Sequence, residues 1–206
     1  DKVEKEVFEF NETFESNVNI SANVGVVMTA TPIYGLNTFK SFISFELIDA
    51  ILSGMRYPSG LLHKRLRGEK LVYVVHALPM QFSTQDFLFI YALTSKDKVL
   101  ETRDLIEKSI NDINDEISLE QLDLAKSQVL FNFQNKMQNI NTAAKEVKNQ
   151  LNRYGRFITV DDYERILNEI TVNELSEMIK EVFSNNTYFV LVNSKDSKSD
   201  SLTKND

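Results

Sequence analysis

Few residues in this chain could do acid–base or metal chemistry, and their spacing forms no catalytic motif. The 206 residues include two histidines and no cysteine. His63 lies in a basic run at residues 63–67, so we expect its ring to face solvent rather than to bind a metal. His76 follows an apolar run, which is typical of a histidine in the core or at a sheet edge. The lack of cysteine excludes disulfides, thiolate metal sites and cysteine catalysis.

Other functional classes also lack support in the sequence. It contains no Gly-rich phosphate loop, nucleophile elbow or dinucleotide fingerprint. The net charge of −7 disfavours a nucleic-acid-binding surface. No apolar run approaches the roughly 18 residues that a membrane span needs. We therefore expect neither a nucleic-acid partner nor a membrane partner.

The region from Phe45 to Ala77 is predicted to form a helix, a loop, a short basic helix and a strand. Phe45, Ile48 and Leu52 recur at three- and four-residue spacing, the pattern of a helix face turned to a core. Asn37 is the predicted N-cap of this helix. Residues 71–75 are β-branched and aromatic, as in a strand.

The remaining elements predict an α+β fold. Strands are expected at residues 24–33, 87–93 and 187–192, and the strands at 71–75 and 87–93 should form an antiparallel hairpin. Because strands and helices do not alternate strictly, we predict a mostly antiparallel sheet packed against several helices.

One long helix is predicted from Ser118 to about Asn152. Ser118 and Gln121 form a capping box, and apolar residues keep a three- and four-residue spacing as far as Leu151. A single helix across the sheet is the interpretation, and a coiled-coil seam is the alternative. Shorter helices are expected at residues 96–115 and after Thr159 and Thr171.

The chain ends are predicted to differ from its centre. Residues 1–20 are expected to be an arm, helical or extended, with the helical form slightly favoured. Residues 21–193 are expected to form the α+β domain, and residues 194–206, rich in Ser, Lys and Asp, a disordered tail. The first residue is Asp1 rather than Met, so we expect a piece of a longer protein.

Several segments, in order, resemble the pitrilysin/insulinase metallopeptidase family, peptidase family M16. They are Ser-Gly-Leu-Leu at 59–62, Leu-Arg-Gly-Glu-Lys at 66–70, Leu-Val-Tyr-Val-Val at 71–75, Glu-Gln-Leu-Asp-Leu-Ala-Lys at 120–126, and the late segments 154–163 and 170–175. The resemblance extends from about Val24 to Val192. It implies an M16-like, LuxS/MPP-like α+β domain.

The resemblance also implies which type of M16 domain this is. Catalytic domains of the family carry His-x-x-Glu-His on a helix, in which two histidines bind zinc and the glutamate activates water. The matching helix here, Thr38 to Leu52, has no histidine. The chain therefore resembles the non-catalytic C-terminal-type domain, with no cofactor of its own and with zinc held by a homologous catalytic domain.

In active members of the family, the non-catalytic half supplies an Arg and a Tyr to the bound peptide, and by motif these are Arg67 and Tyr73. Arg offers fixed donors to a peptide carbonyl, and a phenol can donate to an oxyanion. The Arg-to-Tyr spacing is six rather than the family's usual seven, because a glycine expected between Lys70 and Leu71 is missing. The alternative is an ordinary helix-end cation and an ordinary strand aromatic.

The leading hypothesis is a substrate-binding, non-catalytic domain of a zinc-dependent metalloendopeptidase. It would close over a zinc-bearing homologous domain, in the same or another chain, to enclose and cleave peptides that add a strand to a sheet edge. One alternative is an inactive scaffold or assembly domain of the same fold, and another is an unrelated α+β ligand-binding module. The absence of cysteine favours the cytoplasm, although signals upstream of Asp1 would not be visible.

Overall fold

A five-stranded mixed sheet and seven helices make up the described part of the chain. The computed structural model describes residues 14–20, 23–54, 59–82, 85–113, 117–184 and 187–194. The strands are β1 (Phe14–Ile20), β2 (Val24–Ile33), β3 (Val72–Gln81), β4 (Asp86–Ser95) and β5 (Tyr188–Ser194). The helices are α1 (Phe39–Ser53), α2 (Leu61–Gly68), α3 (Val99–Asp112), α4 (Leu119–Gln138), α5 (Ile140–Tyr154), α6 (Val160–Glu169) and α7 (Val172–Ser184).

The sheet has the strand order β1-β5-β2-β4-β3. Strands β3 and β4 form the predicted antiparallel hairpin, and β2 pairs antiparallel with both β4 and β5. Only the β1–β5 pair is parallel among the strands described. The α+β class with a mostly antiparallel sheet is therefore confirmed.

The two faces of the sheet differ sharply in burial. On β2 and β4, buried and half-buried residues alternate, as expected for a sheet covered on one side. The covered face meets the helices through fully buried residues such as Val27, Ile90 and Leu191. The opposite face is not buried by the described helices, so it is called the open face below.

Helix α1 lies at the centre of the helical layer. It contacts β3, α2, α4, α6 and α7, and most of its residues are buried. Its N-cap is Thr38, whose side chain accepts from the Ser41 backbone N–H in a capping box, so the prediction of Asn37 as the cap is wrong by one residue. Gly54 ends the helix in the left-handed region at φ 72°, where glycine has no Cβ penalty.

Two carboxylates are buried in α1, and each accepts hydrogen bonds from side chains packed around it. Glu46 is 8% exposed; it accepts a hydrogen bond from the Tyr163 hydroxyl and one from Lys136 Nζ at 3.3 Å. Phe133 stacks on Tyr163 with 4.0 Å between ring centroids. Burial, followed by the Glu46 charge, raises the pKa of Tyr163 well above its usual value, so this phenol stays a donor to Glu46.

The second carboxylate, Asp49, has a weaker set of partners. It is 6% exposed and accepts a hydrogen bond from the Ser53 hydroxyl one turn later. Burial is the largest cause of the rise in the pKa of Asp49 to about 7; the Ser53 hydrogen bond opposes this rise, and the nearby Glu46 charge adds to it. The folded protein therefore holds a proton on Asp49 over a pH range in which an unfolded chain has released it.

The prediction of a single helix from Ser118 to about Asn152 is wrong, because the helix is interrupted at Asn139. Helix α4 begins with the predicted Ser118–Gln121 capping box, but Asn139 has an extended backbone, φ −99° and ψ 122°. The Asn139 side chain caps α5 by accepting from the backbone N–H of Asn141 and Thr142. The apolar spacing continues through Asn139 and gives no sign of the break. Asparagine is nevertheless a favoured N-cap residue, so it can begin a new helix at this point.

The chain ends are partly described. Phe14–Ile20, part of the predicted arm, form β1 and pair with β5, so the helical alternative is wrong there. Residues 1–13 lie outside the described residues. The last strand continues to Ser194, and the predicted disordered tail from 195 onward lies outside the described residues. Across the described ranges, we find no helix with both the length and the apolar character of a membrane span.

The buried Asp49 generates a pH prediction. Its pKa is about 7 in the folded protein against an ordinary value of 3.8, so between about pH 4 and pH 7 the folded state binds more protons than the unfolded state, and rising pH lowers stability. Relative to Asp49→Asn, the wild-type protein should lose on the order of 2 kcal/mol of unfolding free energy between pH 5 and pH 8. Urea unfolding of both proteins at each pH measures this difference.

Asp123 on α4 is exposed and provides the matched control. Asp123→Asn should give a pH profile parallel to that of the wild type. If Asp49→Asn also runs parallel to the wild type from pH 5 to pH 8, the buried Asp49 is not protonated in the folded protein.

Candidate functional site

The short helix α2 is positioned by close packing at its start. Gly60 is the N-cap, and a Cβ at this position would lie 2.4 Å from the Leu52 backbone oxygen, so a larger residue would force the end of α1 away. Leu62 and Leu66 of α2 are fully buried. This packing fixes the helix that ends beside Arg67.

A left-handed residue closes the turn from α2 into β3. Lys70 has φ 56°, its backbone N–H donates to the Arg67 carbonyl at 3.0 Å, and the Leu71 N–H donates to the Leu66 carbonyl at 2.9 Å. This is the Schellman pattern, in which glycine usually takes the left-handed position. Leu66 and Leu71 are both buried, which supplies the apolar contact of that motif. Lys70 therefore completes a turn in which the family's glycine is missing.

Tyr73 lies at an irregularity of β3. The register with β4 shifts between Val72 and Val74, so Tyr73 is the extra residue of a bulge, a feature that re-aims a side chain. Tyr73 is 62% exposed, and Arg67 is exposed at the last turn of α2. The turn at Lys70 lies between them. Both side chains face solvent, and their role in binding substrate stays a prediction.

His63 is the site residue whose surroundings were predicted wrongly. Its ring is buried, at 8% exposure, although the basic run around it predicted a solvent-facing side chain. Burial, then the nearby His76 and Arg67, lowers its pKa, while the Val75 backbone opposes the shift. The His63 and His76 rings lie edge to face with 6.5 Å between centroids. The error arose because an eight-residue helix at a sheet edge turns one side inward even when its sequence is basic.

The described residues do not fit a zinc site. Helix α1, which the sequence resemblance aligns with the zinc-binding helix of catalytic domains, contains Glu46 and Asp49, and both carboxylates already accept hydrogen bonds, from Tyr163, Lys136 and Ser53. Within the described ranges, no three His, Cys, Asp or Glu side chains cluster as metal ligands do. No catalytic step through zinc is assigned to this domain.

The open face of the sheet is apolar and aromatic. Leu78 and Met80 of the edge strand β3 are 44% and 43% exposed. Phe82 packs against Phe89 with 6.3 Å between ring centroids. The half-buried residues on this face include Val26 and Met28 of β2, and Phe89, Tyr91 and Leu93 of β4. Exposed apolar residues on one face of a sheet can form a contact surface for another protein.

Comparison with known proteins identifies the family. The sequence model of the peptidase M16 inactive domain matches residues 4–129, more than half of the chain. The chain belongs to the peptidase M16 inactive-domain family. No curated protein matches the chain. The predicted recognition of a non-catalytic M16 domain is confirmed.

Solved structures of M16 and other proteins share this fold at low sequence identity. The peptidase M16 inactive domain from Pseudomonas fluorescens has a TM-score of 0.75 at 14% identity, over 90% of this chain and 44% of that one. A chain of complex III2 from Candida albicans gives 0.76 at 16%, over 88% and 46%. A protease from Helicobacter pylori gives 0.72 at 16%, over 89% and 44%. The chain spans less than half the length of these proteins.

Lys70 generates a stability prediction. Lys70→Gly should raise the free energy of unfolding by about 0.5–1 kcal/mol, because glycine adopts the left-handed conformation without the strain of a Cβ. Lys64→Gly, at an exposed position inside α2, is the matched control and should lower it by about 1 kcal/mol. Chemical denaturation measures both. A loss of stability in Lys70→Gly would contradict the turn geometry.

Proposed function

We propose that this chain is the substrate-binding, non-catalytic domain of a zinc-dependent metalloendopeptidase. A homologous catalytic domain, in the same or another chain, would hold the zinc. Peptides would be enclosed between the two and cleaved on the catalytic side. The observation that carries this proposal is the open apolar face of the sheet, which suits a protein partner, on a domain of the M16 inactive type.

The length of related proteins supports a homologous domain as the occupant of the open face. The solved relatives are more than twice as long as the segment that this chain matches, so at least as much chain again lies beyond the shared domain. Covering the open face with that domain would remove the exposed part of Leu78 and Met80 from water. Leu78 and Met80 are 44% and 43% exposed, so complete burial of each would contribute less than half of the roughly 1.5–3 kcal/mol of a side chain that starts fully exposed, which still favours association through the open face.

Arg67 and Tyr73 have the exposure and chemistry that the substrate role needs. The Arg67 guanidinium has five N–H donors in a fixed plane, suited to peptide carbonyls, and the Tyr73 hydroxyl is one further donor. Tyr73 belongs to β3, an outer strand of the sheet, and Arg67 lies on α2, which directly precedes that strand. A bound peptide that pairs with the outer edge of β3 would pass these donors.

Two substitutions test the substrate role in the complete enzyme. Arg67→Ala and Tyr73→Phe should each lower kcat/KM for an unstructured peptide by at least about tenfold, because each removes donors that act on the bound peptide. Arg165 on α6 is exposed and paired only within its own helix. Arg165→Ala should therefore leave kcat/KM unchanged.

Unchanged turnover in both variants, with folding intact, would remove Arg67 and Tyr73 from the mechanism. The inactive scaffold of the same fold would then be favoured. Thermal unfolding of each variant separates a lost contact from a lost fold.

A charge placed on the open face tests the partner surface. Leu78→Lys should weaken association with the separately produced homologous domain by at least about tenfold, because it would bury an unpaired ammonium. Phe131 on α4 is 51% exposed and lies outside the sheet, so Phe131→Lys is the control and should bind normally. Calorimetric titration measures both. Equal affinity of the two variants would place the partner elsewhere.

A further inference from the structure

A cavity of about 900 Å³ lies at the end of the sheet, away from Tyr73. Most of its lining comes from three segments, within residues 35–37 after β2, residues 79–82 at the end of β3, and residues 149–153 in the last turns of α5, and Phe42 of α1 and Asp86 of β4 complete it. Its volume is in the range of ligand-binding pockets in proteins. None of the roles proposed above uses this cavity.

The wall of the cavity is fixed by buried polar contacts. Arg153 donates from Nε to the Leu36 carbonyl at 3.1 Å and from a terminal nitrogen to the Asp86 carboxylate. Gln85 donates to the Ile33 carbonyl at 2.9 Å. These bonds join the end of β2, the start of β4 and the end of α5, so the cavity is preorganised rather than formed on binding.

The chemistry of the lining selects a neutral ligand. The Asp86 and Arg153 charges are paired with each other, so the wall offers no net charge to a salt or a charged metabolite. The other polar side chains of the lining are amides, from Asn37, Gln81, Asn149 and Asn152. A side-chain amide has the same donor and acceptor as a peptide group.

Apolar groups complete the lining. Phe82 is 44% exposed, and Phe42 and Pro79 also line the cavity. Asp86 Oδ1 is buried and has no hydrogen-bond partner among the described residues, so the wall of the cavity contains one unused acceptor. Amides beside aromatic rings, with one unused acceptor, suit a polypeptide segment that carries an apolar side chain.

We propose that this cavity is a second peptide-binding site, which holds an apolar side chain and the neighbouring backbone amides of an extended peptide. This inference rests on the proposed function, since a peptide-binding domain supplies the ligand class. Gln81 follows Tyr73 by eight positions along β3, roughly 26 Å at about 3.3 Å per residue. An extended peptide beside β3 can therefore contact both the Arg67–Tyr73 surface and the cavity.

An NMR titration of the 206-residue chain tests the proposal. The probe is the capped peptide acetyl-Ala-Phe-Ala-Ala-amide, and acetyl-Ala-Ala-Ala-Ala-amide is its control. The Phe peptide should shift the amide signals of residues 35–37, Asn149 and Asn152, and the all-Ala peptide should bind at least about tenfold more weakly.

Variants at exposed positions keep the test independent of folding. Phe82→Ala and Asn152→Ala should each lower the affinity for the Phe peptide by at least about fivefold. Phe131→Ala removes an equally exposed ring outside the cavity and should bind the peptide as the wild type does. Wild-type affinity in both cavity variants would overturn the proposal.

The location of the shifts separates this inference from the proposed function. Shifts confined to residues around Arg67 and Tyr73 would overturn the cavity site and leave the proposed function standing. Shifts at the cavity, together with unchanged turnover in Arg67→Ala and Tyr73→Phe, would support the cavity and count against the proposed substrate residues. No binding at either surface would overturn the cavity site and remove the support for peptide binding by this domain.

Discussion

The burial of helix α1 is the constraint on which the rest of the structure depends. An amphipathic helix needs cover on one side only, but α1 is buried on nearly all sides and has to be enclosed. The sheet covers one side through β3, and α2, α4, α6 and α7 cover the rest. Because the helices gather around α1, they lie on one face of the sheet and leave the other face open.

The enclosure of α1 also explains its polar contacts. Two carboxylates inside a helical layer would destabilise the fold without partners. Glu46 receives donors from α4 and α6, through Lys136 and Tyr163. Among the described residues, the Asp49 carboxylate accepts a side-chain hydrogen bond only from the Ser53 hydroxyl of its own helix. Its burial is therefore less well compensated than that of Glu46, and its pKa is raised. This helix, which the sequence resemblance aligns with the zinc-binding helix of catalytic M16 domains, is part of the structural core here.

The sequence predicted the elements whose signals are local. The capping box at Ser118, the helix that begins after Thr171 and the β3–β4 hairpin depend on residues close together in the chain, and they lie where expected. The break at Asn139 was missed, because its apolar spacing continues through the break. The burial of His63 was missed because it depends on where α2 packs, which its basic sequence does not reveal. The parallel pairing of β1 with β5 joins opposite ends of the chain, and no local pattern specifies it.

The role of the candidate site residues stays a prediction. The family resemblance selected Arg67 and Tyr73, and the structure adds that a left-handed Lys70 and a bulge at Tyr73 shape the segment between them. The cavity near Arg153 was not predicted, since its three segments are far apart in the sequence and each reads as an ordinary loop or helix end.

The most direct test of the central claim is zinc content measured together with peptide cleavage in the full-length parent protein. The account predicts about one zinc per catalytic domain and cleavage of an unstructured peptide that a chelator abolishes, whereas the 206-residue chain alone neither binds zinc nor cleaves. Cleavage by the 206-residue chain alone would contradict the account. So would a complete assembly, with every homologous domain present, that neither binds zinc nor cleaves.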